Sequence, residues 1–134
     1  MSIFAHFYSR QHSIVTIKKK TGLWVALHVD KNCIGTFFDS FGLEPWGKIA
    51  TFFEKNAKYT IFNKTLLQID ETSCGYHVLF FLEQMDKDKN ISDVLDIYKK
   101  HSFSSHDEMV AAFYMRRCKK IKSFENPHLL CPTE

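Results

Sequence analysis

The stretch Gln68-Ile-Asp-Glu-Thr-Ser-Cys74-Gly75-Tyr76 is a polar loop that delivers a thiol to the start of an apolar run, CGYHVLFFLEQM. A cysteine at a helix start meets orphan amide hydrogens and the positive end of the helix dipole, and both favour thiolate over thiol. The same amides can stabilise an oxyanion, and Gln68, a few residues upstream, can add a side-chain amide to it. Gly75 lets the backbone approach a substrate closely. Residue types in this order suit attack by Cys74 on a carbonyl. On the spacing alone, a buried core thiol is the plain alternative.

Several elements must position that loop. Residues 12–19 and 23–30 alternate apolar and polar side chains as strands do, with Lys20, Thr21 and Gly22 turning between them. A third strand is expected within residues 33–42, ending near Asp39, so the three form an antiparallel meander. Pro45 suits the first turn of a helix, and Trp46, Ile49, Ala50 and Phe53 follow at helical spacing to about Lys55. Residues 58–63 and 65–69 return to strand character. The run from Cys74 is apolar around nearly its whole circumference, as in a buried helix. Two more helices are expected, from Ser92 to about Lys100 and from near Ser105, where Ser105-x-x-Glu108 fits a capping box. From Cys118 the periodicity fades, and about 119–134 reads as a loose tail.

The chain has 134 residues, 45% of them hydrophobic and thirteen of them phenylalanine, enough to bury one core, so a single domain over 1–134 is expected. No apolar run reaches bilayer length and MSIFAHFYSRQH lacks the apolar stretch of a secretory signal, so the expected location is intracellular. Four cysteines at irregular spacing, Cys33, Cys74, Cys118 and Cys131, read as free thiols in a reducing compartment. Cys118, His128 and Cys131 are too loosely spaced to mark a zinc site, and neither a metal nor a cofactor is expected. A net charge of +3 falls short of a dedicated nucleic-acid binder, and the basic runs at 18–20 and 116–122 read as solvated faces. Trp24 and Phe37, Phe38, Phe80 and Phe81 are core by residue type.

Two blocks in chain order, WVALHVDKNCIGTFFDSFGLEP (24–45) and QIDETSCGYHVLFF (68–81), resemble those of the adenain and ubiquitin-like-protein-specific protease superfamily of cysteine peptidases. A weaker echo, FSSHDEMVAAF (103–113), is similar to the viral and Maverick/Polinton-type members. The resemblance implies an α+β, papain-like core: a small mixed sheet packed on the helix that begins at Cys74, flanked by shorter helices. It also implies Cys74 as nucleophile, Gln68 as oxyanion donor, Asp39 as the residue orienting the general base, and Trp24 as a wall of the substrate channel.

The base itself is missing. Its position, immediately before Trp24, is held by Leu23, which cannot take a thiol proton. His28, five residues along the same strand, falls about 16 Å away on the opposite face. His77 lies one helical turn beyond Cys74, with little room for an orienting acid or a substrate between them. His6 and His12 precede the core and stay open as substitutes, and His28, His77, His101 and His106 read as structural or solvent-facing. The family also carries more structure ahead of the histidine position than the 22 residues here. The resemblance therefore implies a cysteine endopeptidase, impaired or inactive through Leu23, acting on a viral structural or ubiquitin-like protein. Its alternative is a pseudoprotease that binds a protein or peptide. Weak DNA binding is a lesser expectation, and a host-cell cytoplasmic, nuclear or virion location goes with it.

Overall fold

The computed structural model describes residues 2–4, 13–18 and 24–122, with side chains from Trp24 to Arg116. Its elements in chain order are β1 (Ser2–Phe4), β2 (Ser13–Lys18), β3 (Trp24–Val29), β4 (Ile34–Phe38), α1 (Gly47–Asn56), β5 (Tyr59–Phe62), α2 (Cys74–Asp86), α3 (Ile91–Lys100) and α4 (His106–Lys122). The strands form one sheet in sequence order. β1 to β4 are antiparallel neighbours, with Ile17 opposite Val25 and Ala26 opposite Phe38. β5 runs parallel to β4, Phe62 beside Phe37, because α1 carries the chain back across one face between them.

Alternation along the strands divides the core in two. Val25, Leu27 and Phe37 face α1 and pack on its Ile49 and Phe53. Ala26 and Phe38 face the other way, onto Val78, Phe81 and Met85 of α2 and, beyond them, Val94, Tyr98, Met109 and Val110 of α3 and α4. Phe38 and Phe81 stack at 4.6 Å between ring centroids, the closest ring contact between the sheet and α2. α2 is therefore clamped against the sheet at mid-length, which fixes where its first residue falls. Among the described residues no helix is long and apolar enough to cross a membrane.

The meander, the strand near residues 58–63 and the helices expected from Cys74, Ser92 and near Ser105 are present, but several boundaries move. Pro45 does not start α1. Trp46 is the N-cap, its carbonyl accepting from Ile49 and Ala50, and Gly47 at φ 53° turns the chain into the helix two residues later. α3 begins at Ile91 because Asn90 and Asp93 close a reciprocal capping box. At α4 only half of the expected box forms: the Glu108 amide donates to Ser105 Oγ, while the Glu108 carboxylate accepts from Ser104. α4 continues to Lys122, so the helix carries residues expected in the tail and is longer than α2 rather than shorter. Residues 123–134 lie outside the described residues, as do Leu23, His6, His12 and the turn at 19–22. Nor is α2 buried all round, since Tyr76, Leu79 and Asp86 form an exposed stripe.

The largest departure is residues 65–69, which are no strand. Leu67 and Gln68 are both buried while Leu66 and Ile69 are exposed, a pattern alternation forbids. The amides of Leu67 and Gln68 both donate to the Ser40 carbonyl at 2.8 and 3.0 Å, so this segment crosses the turn after β4 instead of pairing along it. That crossing requires Gly42. Its φ is +80°, and a Cβ there would lie 2.8 Å from the backbone of Thr65. Gly42→Ala should lower unfolding free energy by about 1–3 kcal/mol, read as a lower urea midpoint with unchanged slope.

Candidate functional site

Asp39 and Ser40 leave the end of β4 buried, at 4% and 0% exposure, so their polar groups must be satisfied inside the protein. Asn63, at the end of the neighbouring strand β5, does much of this. Its Oδ1 accepts from the Asp39 amide, and its Nδ2 donates to the carbonyls of Asp39 at 2.7 Å and Thr65 at 3.0 Å. Asp39 Oδ1 accepts from the Phe41 amide, tightening the Asp39-Ser-Phe-Gly turn. Ser40 Oγ donates to Gln68 Oε1 at 2.5 Å, and Gln68 Nε2 donates to the Asp70 carbonyl at 2.9 Å. Gln68 is thus anchored by its carbonyl oxygen one residue from Asp39, with its amide nitrogen turned toward the loop that leads to Cys74.

That loop is folded by two carboxylates. Asp70 Oδ1 accepts from the amides of Thr72 and Ser73, a turn closed by its own side chain. Asp107, in the first turn of α4, reaches across to the same loop. Its Oδ2 accepts from the amides of Ile69 and Asp70 at 3.1 and 3.0 Å, and its Oδ1 from Ser73 Oγ at 3.0 Å and His77 Nε2 at 2.7 Å. His77 is fully buried on α2, and its Nδ1 lies 2.8 Å from Tyr98 Oη. A carboxylate can only accept, so Nε2 carries the proton and Tyr98 donates to Nδ1.

Burial lowers the pKa of His77, against the opposing pull of Asp107, so the ring is neutral at pH 7. Burial alone would raise that of Asp107, but donation from His77, from the loop amides and from Ser73 together outweighs it and the net shift is downward. Burial also pushes the Tyr98 hydroxyl well up. Sequence reasoning set His77 aside as structural or solvent-facing and did not single out Asp107 or Asn63. A histidine on an apolar helix face signals a buried partner, but not which one.

Cys74 is the first residue of α2 and 4% exposed. Its N-cap, Ser73, makes no capping bond from its side chain, because the hydroxyl is given to Asp107. The backbone amide of Trp24, the first residue of β3, points at Cys74 Sγ from 3.5 Å. Gly75 lies against the Trp24 indole, where an added Cβ would be 3.7 Å from Cδ1. Cys74, Gly75 and Trp24 thus come together at one end of the sheet, and the 68–73 loop joins Gln68 to them along the chain. Asp39 belongs to the same end of the sheet, in the turn that anchors Gln68. Leu23 lies outside the described residues.

Among the described residues, no histidine replaces a base there. Both ring nitrogens of His77 are engaged by Tyr98 and Asp107. His28 is buried at the far end of β3, on a groove of about 680 Å³ floored by Thr36 and walled by Met85 and Ile91. His101 and His106 bond to each other at 2.7 Å. Cys33 and Cys74 are free thiols, and among the described residues no three potential ligands gather to hold a metal.

No protein-family model matches this chain, and no curated protein matches it. Two solved structures are similar, both of the ASFV pS273R protease. The selenomethionine form shares 19% identity at a TM-score of 0.55, over 61% of this chain and 37% of that one. The other shares 20% at 0.54, over 61% and 36%. The chain therefore spans little more than a third of that protease's length. At these identities the likeness is one of fold: an α+β sheet packed on the helix begun by Cys74, as the sequence led one to expect.

Protonating His77 in place is unfavourable, so between its lowered folded pKa and the ordinary 6.5 the unfolded chain holds more protons and stability falls as pH falls. His106 is lowered too and adds to the same slope, while Asp107, lowered from 3.8, adds a second loss at more acid pH. Urea unfolding between pH 7.5 and 5 should show the first decline, and His77→Gln should flatten part of it.

Proposed function

We propose that this chain is a cysteine-peptidase homologue of the adenain and ubiquitin-like-protein-protease type that keeps the nucleophile's setting and lacks its general base. The observation that carries this reading is the 3.5 Å approach of the Trp24 amide to Cys74 Sγ. The residue before Trp24 is one peptide bond from that nitrogen, and it is Leu23. In the ancestral reaction a base there would take the thiol proton, the thiolate would attack the peptide carbonyl, and the amine would leave with that proton. Water would then hydrolyse the acyl-enzyme.

Three placements support this reading. Cys74 sits in the first turn of α2. Gln68, fixed through Ser40, gives its amide nitrogen to the Asp70 carbonyl, inside the loop that leads to the thiol. Asp39 stands at the end of the strand beside β3, the position of the acid that would orient the absent histidine. A leucine can neither accept the proton nor return it, which costs about 10²- to 10⁴-fold in rate.

The substrate class in this reading is a protein or peptide, either a viral structural protein or a ubiquitin-like one, met inside a host cell or virion. Leu66, Ile69 and Tyr76 are 62%, 77% and 36% exposed in the segments that carry Gln68 and Cys74. Apolar side chains left in water in neighbouring segments suit a polypeptide ligand. They equally favour the second reading, a pseudoprotease that binds such a ligand without turnover. A weak DNA partner, through basic side chains such as the exposed Arg116, is a subsidiary proposal that salt-sensitive gel retardation would test.

Cys74 alkylation followed by intact mass tests the missing base, and peptide binding without turnover would select the second reading. At pH 7, Leu23→His should react about tenfold or more faster than the natural chain, and Cys74→Ala should remove the site of modification. Equal rates in the natural chain and Leu23→His, or a natural thiolate titrating well below pH 8, would mean that a base is already present and overturn the proposal.

A further inference from the structure

We infer that Asp107 is the positioning residue for the nucleophile: through its carboxylate, α4 sets the 68–73 loop and hence the place of Cys74. Calling Cys74 the nucleophile rests on the reading above, but the geometry of the loop does not. An ionised carboxylate has about four acceptor sites, and Asp107 fills them with the amides of Ile69 and Asp70, the Ser73 hydroxyl and His77 Nε2. Three of these donors belong to the loop, and the fourth lies one helical turn past Cys74. The segment between Gln68 and Cys74 is therefore held from both ends by one side chain.

The neighbours are arranged to keep that side chain a pure acceptor. Tyr98 donates to His77 Nδ1, which leaves the proton on Nε2, so the buried ring presents Asp107 with a donor in a fixed tautomer. Tyr98 stacks on His77 with 12° between the ring planes, so the imidazole has one orientation available. Asp107 also draws the Ser73 hydroxyl away from capping duty. Ser73 is the N-cap of α2, and its hydroxyl would otherwise occupy a first-turn amide of the kind that stabilises an oxyanion. One carboxylate thus fixes the thiol's location and keeps the helix start uncapped by Ser73.

The test reads Cys74 and the loop in the natural chain, so a failure of Leu23→His to gain reactivity leaves it standing, and its own failure leaves the missing-base reading standing. Amide exchange is measured at Ile69, Asp70 and, as a control in β3, Ala26 and Leu27, together with the rate of Cys74 alkylation by iodoacetamide. In Asp107→Ala, exchange at Ile69 and Asp70 should rise about tenfold or more with the β3 amides unchanged, and the buried thiol should be alkylated severalfold faster. Asp107→Asn should restore most of the Ile69 and Asp70 protection, because its oxygen still accepts from the loop while its NH₂ donates to the other tautomer of His77.

Unchanged exchange and alkylation in Asp107→Ala, or a rise spread evenly over the loop and β3, would overturn the inference, the second result marking Asp107 as a global stabiliser only. If Asp107→Ala does not fold, Ser73→Ala decides. It removes a single donor, and it should still raise Cys74 alkylation severalfold, whereas no change would refute the assignment.

Discussion

Between Phe62 and Cys74 the chain crosses the end of the sheet with no partner strand, and its buried backbone groups must be satisfied by side chains and by the Ser40 carbonyl instead. Everything at the site depends on how that is done. Asn63 supplies the Asp39 backbone and the Thr65 carbonyl, the Ser40 carbonyl takes two amides, and Asp70 and Asp107 take the rest. The Asp107 contacts are long-range, reaching a loop more than thirty residues earlier in the chain. A loop held in this way is as fixed as a strand, but it is fixed by a few charged and amide groups. Each removal leaves a buried donor or acceptor without a partner.

The rest of the fold brings those groups to one end of the sheet. α2 is pressed against β3 and β4 by Ala26, Phe38, Val78 and Phe81, and this sets the height at which its first turn meets the start of β3. The same packing leaves the thiol of Cys74 at the Trp24 amide. On the opposite face α1 fills the space over Val25, Leu27 and Phe37 and turns the chain back so that β5 lies parallel to β4, delivering Asn63 beside Asp39. The two cores thus have separate tasks. One places Cys74, and the other places the turn that anchors Gln68.

The sequence was most readable where periodicity and local chemistry govern. Strands β2 to β4, the helix from Cys74 and the phenylalanines of the core follow from alternation and apolar content. The setting of Cys74 at a helix start is visible in a single polar-to-apolar boundary. Legibility fails where satisfaction of polar groups is long-range. Residues 65–69 have strand-like composition, yet they lack a partner to pair with, and no local pattern shows that the Ser40 carbonyl will take their amides. His77 looked incidental because its two partners come from α3 and α4. Asp107 reads as one more acid in the first turn of a helix, where acids are common. Trp24 reads as core by residue type, and the structure packs it half-buried against the core with its amide at the thiol.

The central claim, a peptidase scaffold complete but for its base, is tested most directly by supplying the base from solution. In Leu23→Gly the rate of acylation of Cys74 by a peptide thioester is followed by intact mass as imidazole is added. The account requires a saturable rise in that rate, confined to Cys74 and lost in Cys74→Ala. A rate that does not respond to imidazole, or a natural chain that acylates as fast without it, would contradict the claim.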